Sequence, residues 1–259
     1  MELRLRPSSS KRWLACPSSI LLEARQPVVL KTPKELFHAN QGTAAHELLE
    51  ACIVNGWIPD NYLGEQIRVF DVEQMTEPAI FEVSQEMVDG VQVVLDYIDG
   101  IERESQYSEL AMEHSKIEGF RGTADFVAYN GDATSAEIVD LKYGTSTVQA
   151  VNRKGEINPQ LLCYATLLCD KLPNLQNVRL TIVQPRSKTK TKIRSVDVDR
   201  QTIEVFEERV YNARLIADKE LQGAPMQLAD GSHCYWCRAN RVCPLKLANE
   251  MNRDFGEGS

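Results

Sequence analysis

Two aspartates and a lysine carry the strongest chemical signal in this chain of 259 residues. Asp140 and Lys142 stand two apart in the apolar run Ala136-Glu137-Ile138-Val139-Asp140-Leu141-Lys142. Strand alternation puts both on one face and sends Leu141 to the other. Alone, such a pair is an ordinary ion pair at a strand end. Asp125 changes its meaning. It lies within Gly122-Thr123-Ala124-Asp125-Phe126, among small and apolar residues that are poor company for a lone charge. The Asn130-Gly131-Asp132 turn signal folds this strand onto that of Asp140 as a hairpin. Carboxylates brought together repel unless a cation sits between them, and oxygen ligands suit Mg²⁺ or Mn²⁺. The chemistry that follows is metal-assisted hydrolysis of a phosphodiester. The ion polarises the scissile phosphate and lowers the pKa of a bound water, while Lys142 stabilises developing negative charge or orients that water. Glu113, on the preceding strand, is a further candidate for the cation site; an exposed strand-end acid is the equal alternative. Gln160 and Tyr164, four apart on an expected helix, share a face from which they could touch a nucleic-acid strand or position Lys142.

The seven cysteines form a second constellation. An odd count in a long chain without a secretion signal does not describe a disulfide scaffold. Cys234, Cys237 and Cys243-Pro244 have the spacing C-x2-C-x5-C-P, one thiolate short of a closed soft-metal site. Cys16-Pro17, near the other end, is the natural fourth ligand and would join the two ends of the chain. Zinc sites of four cysteines usually show two C-x2-C knuckles. A single knuckle, a longer gap, the following proline and the distant first cysteine fit an iron–sulfur cluster better, with zinc as the alternative. Cys52, Cys163 and Cys169 fall in apolar helical patterns and belong to the core.

The formal charge of −8, with 43% hydrophobic and 25% charged residues, describes a globular protein rather than a nucleic-acid-coating one. Yet Arg186, Lys188, Lys190, Lys192 and Arg194 put a basic residue at every second position. If extended, that run lines one strand face with positive charge and tracks phosphates, unless it is a solvated edge that uses lysines against aggregation. Arg4, Arg6, Lys11 and Arg12 make a smaller basic group. Trp13 and Trp236 could stack on bases, although packing around the cysteines is the simpler role for both. No apolar stretch of signal-peptide or membrane-span length is present, so the expected location is cytoplasmic, in a bacterium, an archaeon or a phage-infected cell. No Walker motif is present, so a helicase partner would be a separate polypeptide.

These groups need elements to hold them. The first forty residues read as irregular, broken by prolines, with a short helix closed by Ile20-Leu21-Leu22. A helix is expected over 43–55 with Thr43 as N-cap, and a second one carries the stripe of Met87, Val88, Val91, Val94, Leu95, Ile98 and Ile101. Strands follow at 110–113, 121–129 and 136–142, then a helix over 158–171, strands at 178–183 and 192–196, and a last helix over 199–221. This pattern predicts an α/β fold, a central mixed sheet flanked by helices.

The ordered motifs resemble the restriction-endonuclease-like PD-(D/E)XK nuclease superfamily, and within it the RecB-like branch. The residues that carry the resemblance are Gly42-Thr43-Ala44-Ala45-His46-Glu47, Asp125, Asp140-Leu141-Lys142-Tyr143-Gly144 and Gln160-Leu161-Leu162-Cys163-Tyr164. It implies a Mg²⁺ or Mn²⁺ site built from His46, Asp125, Asp140 and the backbone carbonyl of Leu141, with Lys142 catalytic and Gln160 and Tyr164 as the trailing motif. Ser10 to Pro17 and the three late cysteines are similar to RecB-like nucleases with an iron–sulfur staple, including AddB-type subunits and CRISPR-adaptation exonucleases. That likeness implies a 4Fe–4S cluster on Cys16, Cys234, Cys237 and Cys243. The implied function is a DNA exonuclease acting on single strands or free ends, in recombination, repair, or phage or CRISPR DNA processing. A non-catalytic nucleic-acid-binding or assembly module of the same fold is the alternative. The expected organisation is an N-terminal segment (1–41), a nuclease core (42–222) and a C-terminal cysteine segment (223–259).

Overall fold

The computed structural model describes residues 2–27, 32–70 and 78–256, with side chains as far as Glu250. In chain order the elements are α1 (Ser10–Ala15), α2 (Ser18–Ala24), α3 (Pro33–Asn55), β1 (Gln66–Val69), β2 (Ala79–Glu82), α4 (Gln85–Asp99), β3 (Ser105–Glu113), β4 (Arg121–Tyr129) and β5 (Ser135–Leu141). They continue with α5 (Pro159–Lys171), β6 (Asn177–Val183), β7 (Ile193–Asp199), α6 (Arg200–Leu221) and α7 (Pro244–Gly256). A five-stranded mixed sheet has the order β3-β4-β5-β6-β7, and β1 and β2 form a separate antiparallel pair. β3, β4 and β5 are an antiparallel meander, β5 and β6 run parallel, and β7 returns antiparallel. Parallel neighbours require a crossover, and α5 supplies it.

Both faces of the sheet are covered, as an α/β fold demands. On one, Trp13, Leu21, Leu161, Leu168, Phe206 and Val210 from the early and late helices pack with Ala124, Ile138 and Leu180. On the other, Leu48 and Leu49 of α3 and Val88, Val91 and Val94 of α4 pack with Phe126, Val139 and Leu141. Among the described residues no helix is long and apolar enough to cross a membrane.

Most expected elements form where the local signals place them. Ser84, Asn158 and Asp199 cap α4, α5 and α6 by accepting the backbone N–H groups of Met87, Gln160 and Thr202. α3 differs, because it begins at Pro33 and crosses the segment boundary expected after residue 41. Thr32 Oγ1 accepts the Glu35 N–H and the Glu35 carboxylate accepts the Thr32 N–H at 2.9 Å, a capping box. Such a cap stabilises a helix by about 1 kcal/mol and outweighs the breaking tendency read into Pro33, which is tolerated in the first turn. The hairpin between β4 and β5 forms, but through a loop longer than a two-residue turn. Pairing ends at Tyr129 and Ala136, and the left-handed position falls on Ala133 at φ 54°. Asn130 Oδ1 accepts the Ser135 N–H at 2.8 Å and Asp132 Oδ1 accepts the Thr134 N–H at 3.1 Å, so the two side chains close the wider loop.

The early segment belongs to the body of the protein. Leu5 bridges to Phe120 and its N–H donates to Gly119 O at 2.9 Å. Gly119 sits at φ 74°, and a Cβ there would run into the Leu3 carbonyl, so only glycine fits. The two chain ends meet as well: Arg12 donates to the Trp236 carbonyl at 3.2 Å, and the Arg238 N–H donates to the Glu23 carboxylate at 2.7 Å.

The basic run 186–194 is not one extended face. β7 starts only at Ile193, and residues 184–192 form the β6–β7 connection. Buried Gln184 organises it, donating to the carbonyls of Gly144 (2.8 Å) and Ser146 (2.7 Å) and accepting the Val148 N–H at 3.0 Å. Arg186 lies over the Tyr143 ring and pairs with Glu86 at 2.9 Å. Lys192 donates to Ser187 O, and Arg194 donates to Ser187 Oγ and Thr191 O. Three of the five cations therefore turn back onto the protein, and Lys188 and Lys190 face outward.

Candidate active site

β4 and β5 pair only as far as Phe126 and Val139. Beyond that point the Leu141 N–H, which faces β4, donates to the Asp125 carboxylate Oδ2 at 2.7 Å. The strands part there, and the opening holds both aspartates. Asp125 is 8% exposed and Asp140 1%. The alternation expected of β5 is present: Leu141 enters the core under α3 and α4, while Asp140 turns toward α5 and meets Gln160.

The Lys142 ammonium donates to Asp140 Oδ1 at 2.9 Å and lies 2.7 Å from Oδ2. Oδ2 is nevertheless buried without a hydrogen-bond partner of its own. The ammonium 2.7 Å away balances the charge on that oxygen as an ion pair. Burial pushes the Asp140 carboxyl up and Asp125 adds to this, while Lys142 and His46 pull it down. Burial disfavours the ammonium of Lys142, yet Asp140 and Asp125 overcome it and hold the charge on the lysine.

His46 comes from α3, where its neighbours Ala44, Ala45, Leu48 and Leu49 are buried under the sheet. Its Nδ1 lies 3.2 Å from Asp125 Oδ1 and 3.9 Å from Glu109 Oε1. Burial opposes a charged imidazole, but Asp125, Glu109 and Asp140 together push its pKa up to about 10. His46, Glu109 and Asp125 offer ligand atoms that all lie within 4.8 Å of one another, the geometry a single cation needs. Gln160 Nε2 reaches Asp140 Oδ1 at 3.3 Å and the Tyr164 hydroxyl at 3.0 Å. Burial raises the Tyr164 hydroxyl well above its ordinary value, and the nearby carboxylate of Asp140 adds to it.

Glu109, not Glu113, is the acid that β3 brings to this group. Glu113 stands opposite Arg121, exposed, four residues or about 13 Å further along the strand. Glu109 has φ 48°, a left-handed conformation that costs a non-glycine residue about 1 kcal/mol or more. That strain interrupts the alternation of β3 and lies beside Asp125, since Ser108 pairs with Phe126 and Leu110 with Ala124. Nothing in the local sequence signals it.

The three cysteines of the C-x2-C-x5-C pattern and Cys16 fall in one region. Burial raises the Cys16 thiol, and Cys243 and Cys234 are close enough to raise it further. The Cys237 thiol is pushed up to about 11 by burial, with contributions from Glu23 and Cys16. Among the described residues no three of these thiols lie within 4.8 Å of one another. Cys52, Cys163 and Cys169 are buried in the two cores. Trp13 is core, packed edge-on to Phe120 with its Nε1 donating to Arg6 O, whereas Trp236 is 72% exposed beside Tyr235.

A family described as "Protein of unknown function (DUF2800)" matches residues 3–257. The chain belongs to the DUF2800 family. Solved structures similar to this DUF2800 chain include a protein of Eubacterium rectale described as a candidate exonuclease. It has 14% identity and a TM-score of 0.47, over 93% of this chain and 88% of that one. An alkaline exonuclease from Laribacter hongkongensis has 13% identity and a TM-score of 0.33, over 82% of this chain and 92% of that one. Its complex with dAMP has 12% identity and the same TM-score, over 83% and 92%.

Proposed function

We propose that this DUF2800 protein is a divalent-metal-dependent nuclease that hydrolyses phosphodiester bonds of DNA, as an exonuclease on single strands or free ends. One arrangement carries the reading: His46, Glu109 and Asp125 offer ligand atoms within 4.8 Å of one another where β4 and β5 part, and the buried Asp140–Lys142 pair lies beside them. The donor set of His46, Glu109 and Asp125, to which the family resemblance adds Asp140 and the Leu141 carbonyl, is rich in hard oxygen, which fits Mg²⁺ or Mn²⁺. A bound ion supplies charge to the scissile phosphate and acidifies water. Lys142 keeps a positive charge beside Asp140, where negative charge accumulates in the transition state. Gln160 braces Asp140 and is itself held by Tyr164. The restriction-endonuclease-like, RecB-like assignment belongs to this reading, with residues 42–222 as the nuclease core and roles in recombination, repair or phage and CRISPR DNA processing. Lys188 and Lys190, on the loop after β6 at the same end of the sheet as Lys142, are proposed phosphate contacts.

The second part of the reading is a staple. Cys16, Cys234, Cys237 and Cys243 would hold a 4Fe–4S cluster between residues 1–41 and 223–259. A soft four-thiol set on two ends that already touch supports it. The cluster would supply cross-linking rather than chemistry on the substrate.

The test of catalysis is digestion of single-stranded DNA with Mn²⁺ by the wild type, Lys142→Ala and Asp140→Ala. Loss of activity in both variants, with unchanged folding, is expected. Equal rates in all three would leave a non-catalytic binding module instead.

A further inference from the structure

A cavity of about 530 Å³ opens between the N-terminal segment and the C-terminal end, away from the metal ligands. Arg4, Arg6, Arg12 and Arg238 line it against only two acids, Glu2 and Glu23. In a chain of net charge −8 this is a concentrated positive site. The acids serve the arginines: Glu2 pairs with Arg4 at 2.7 Å and Glu23 with Arg12 at 2.6 Å, which holds both guanidiniums in place. Two further polar atoms belong to residues of its wall and have no hydrogen-bond partner in the protein. Ser19 is 2% exposed and its Oγ has no hydrogen-bond partner, and the buried Nε of Arg12 has none either. Both residues line the cavity. A buried hydroxyl and a buried guanidinium N–H left unpaired are donors that a small shift of these side chains would turn to an acceptor in the cavity. Arginines with a donor hydroxyl match a phosphate.

The cavity shares two wall residues with a second space that reaches Tyr164. That space, of about 340 Å³, is lined by the shared Arg6 and Ser8 and by Arg121, Gly122, Thr123 and Tyr164. Tyr164 is the residue whose hydroxyl accepts from Gln160 beside Asp140. Gly122 keeps this passage close to the N-terminal segment, since a Cβ there would lie 2.5 Å from Pro7 Cγ.

We propose that the cavity bounded by Arg6, Arg12, Ser19 and Arg238 receives backbone phosphates of the nucleic-acid strand whose scissile bond lies at the metal site, led there past Tyr164 and Arg121. The proposal rests on the nuclease reading for the identity of that strand. It makes the joined chain ends part of the substrate path as well as a closure of the fold. Phosphate contacts of this kind position a strand without reading its sequence.

Arg6 and Arg238 are exposed, so their substitution leaves the fold standing. The experiment measures binding of a fluorescent oligothymidylate of about twelve nucleotides to the full chain in EDTA, for the wild type, Arg6→Ala, Arg238→Ala and Arg238→Glu, with melting temperatures as the folding control. Hydrolysis of bis(4-nitrophenyl) phosphate with Mn²⁺ is followed in parallel, because that small diester needs only the metal site. Each alanine variant is expected to bind about tenfold more weakly, with a shallower salt dependence by about 0.7 per lost phosphate contact, while small-diester hydrolysis is unchanged. Wild-type affinity in all three variants overturns the proposal. Loss of inorganic phosphate binding with intact oligonucleotide binding also overturns it, by reducing the site to a small-anion pocket. No small-diester hydrolysis by the wild type, with the binding losses intact, supports the phosphate path and removes the catalytic reading.

Discussion

The Asp125 carboxylate accepts the Leu141 backbone N–H at 2.7 Å, taking the place of a strand-to-strand hydrogen bond at the point where β4 and β5 separate. One oxygen of Asp125 therefore holds the backbone and the other faces His46. Asp125→Asn keeps an acceptor for the N–H and removes the charge, so Mn²⁺ affinity is expected to fall with little change in stability. Asp125→Ala leaves the N–H without a partner and is expected to destabilise the fold by about 1–3 kcal/mol. Chemical denaturation and metal titration of both variants separate the two roles.

Glu109 combines a strained backbone with a carboxylate crowded against Asp125 and His46. Glu109→Gly is expected to stabilise the metal-free protein, by relief of about 1 kcal/mol of backbone strain, while weakening Mn²⁺ binding about tenfold. A melting temperature that drops in the metal-free variant would show that the left-handed conformation is not held for the sake of the site.

Protonation of His46 predicts a pH dependence. Burial opposes its charge, but Asp125 and Glu109 raise the pKa from 6.5 to about 10. In the metal-free protein this contribution to stability is fully present below pH 6.5 and is lost as the pH rises through about 10. A metal takes the neutral imidazole, so binding must expel the proton. Mn²⁺ affinity is expected to rise between pH 6.5 and about 10, with about one proton released per ion at pH 8. Calorimetry in buffers of different ionisation enthalpy measures that release; none at all would mean that His46 stays off the metal.

Protein purified without oxygen is expected to be brown and to contain iron. Cys237→Ser is expected to bleach it and to make residues near Arg12 and Trp236 accessible to protease, because the ends joined by those contacts lose their cross-link. Stoichiometric zinc without visible absorbance would assign the four thiols to zinc instead.

Much of the fold was legible because its local signals agree with one another. The stripe of Met87, Val88, Val91, Val94 and Ile98 is buried as spaced, although the cap expected at Thr43 falls inside α3, whose N-cap is Thr32. Misreadings fell where tertiary contacts override the pattern. Basic residues at every second position suggested a strand, but buried Gln184 ties that segment into a loop and Arg194 folds back onto it. Pro33 looked like a break and is instead the first residue of α3.

The sequence by itself determined that Asp140 and Lys142 share a face with Leu141 opposite, because the two-residue period of a strand leaves no other choice. It also determined that Gln160 and Tyr164 lie on one side of a helix, and that four cysteines outside the apolar patterns need a common explanation. Only the tertiary structure decided that Glu109 joins Asp125 and His46, since that depends on antiparallel pairing of β3 with β4 and on a positive φ that glutamate does not favour. Only the tertiary structure, too, set Arg6 and Arg238 around one cavity, because residues that far apart in the chain share a wall only after the two ends have met.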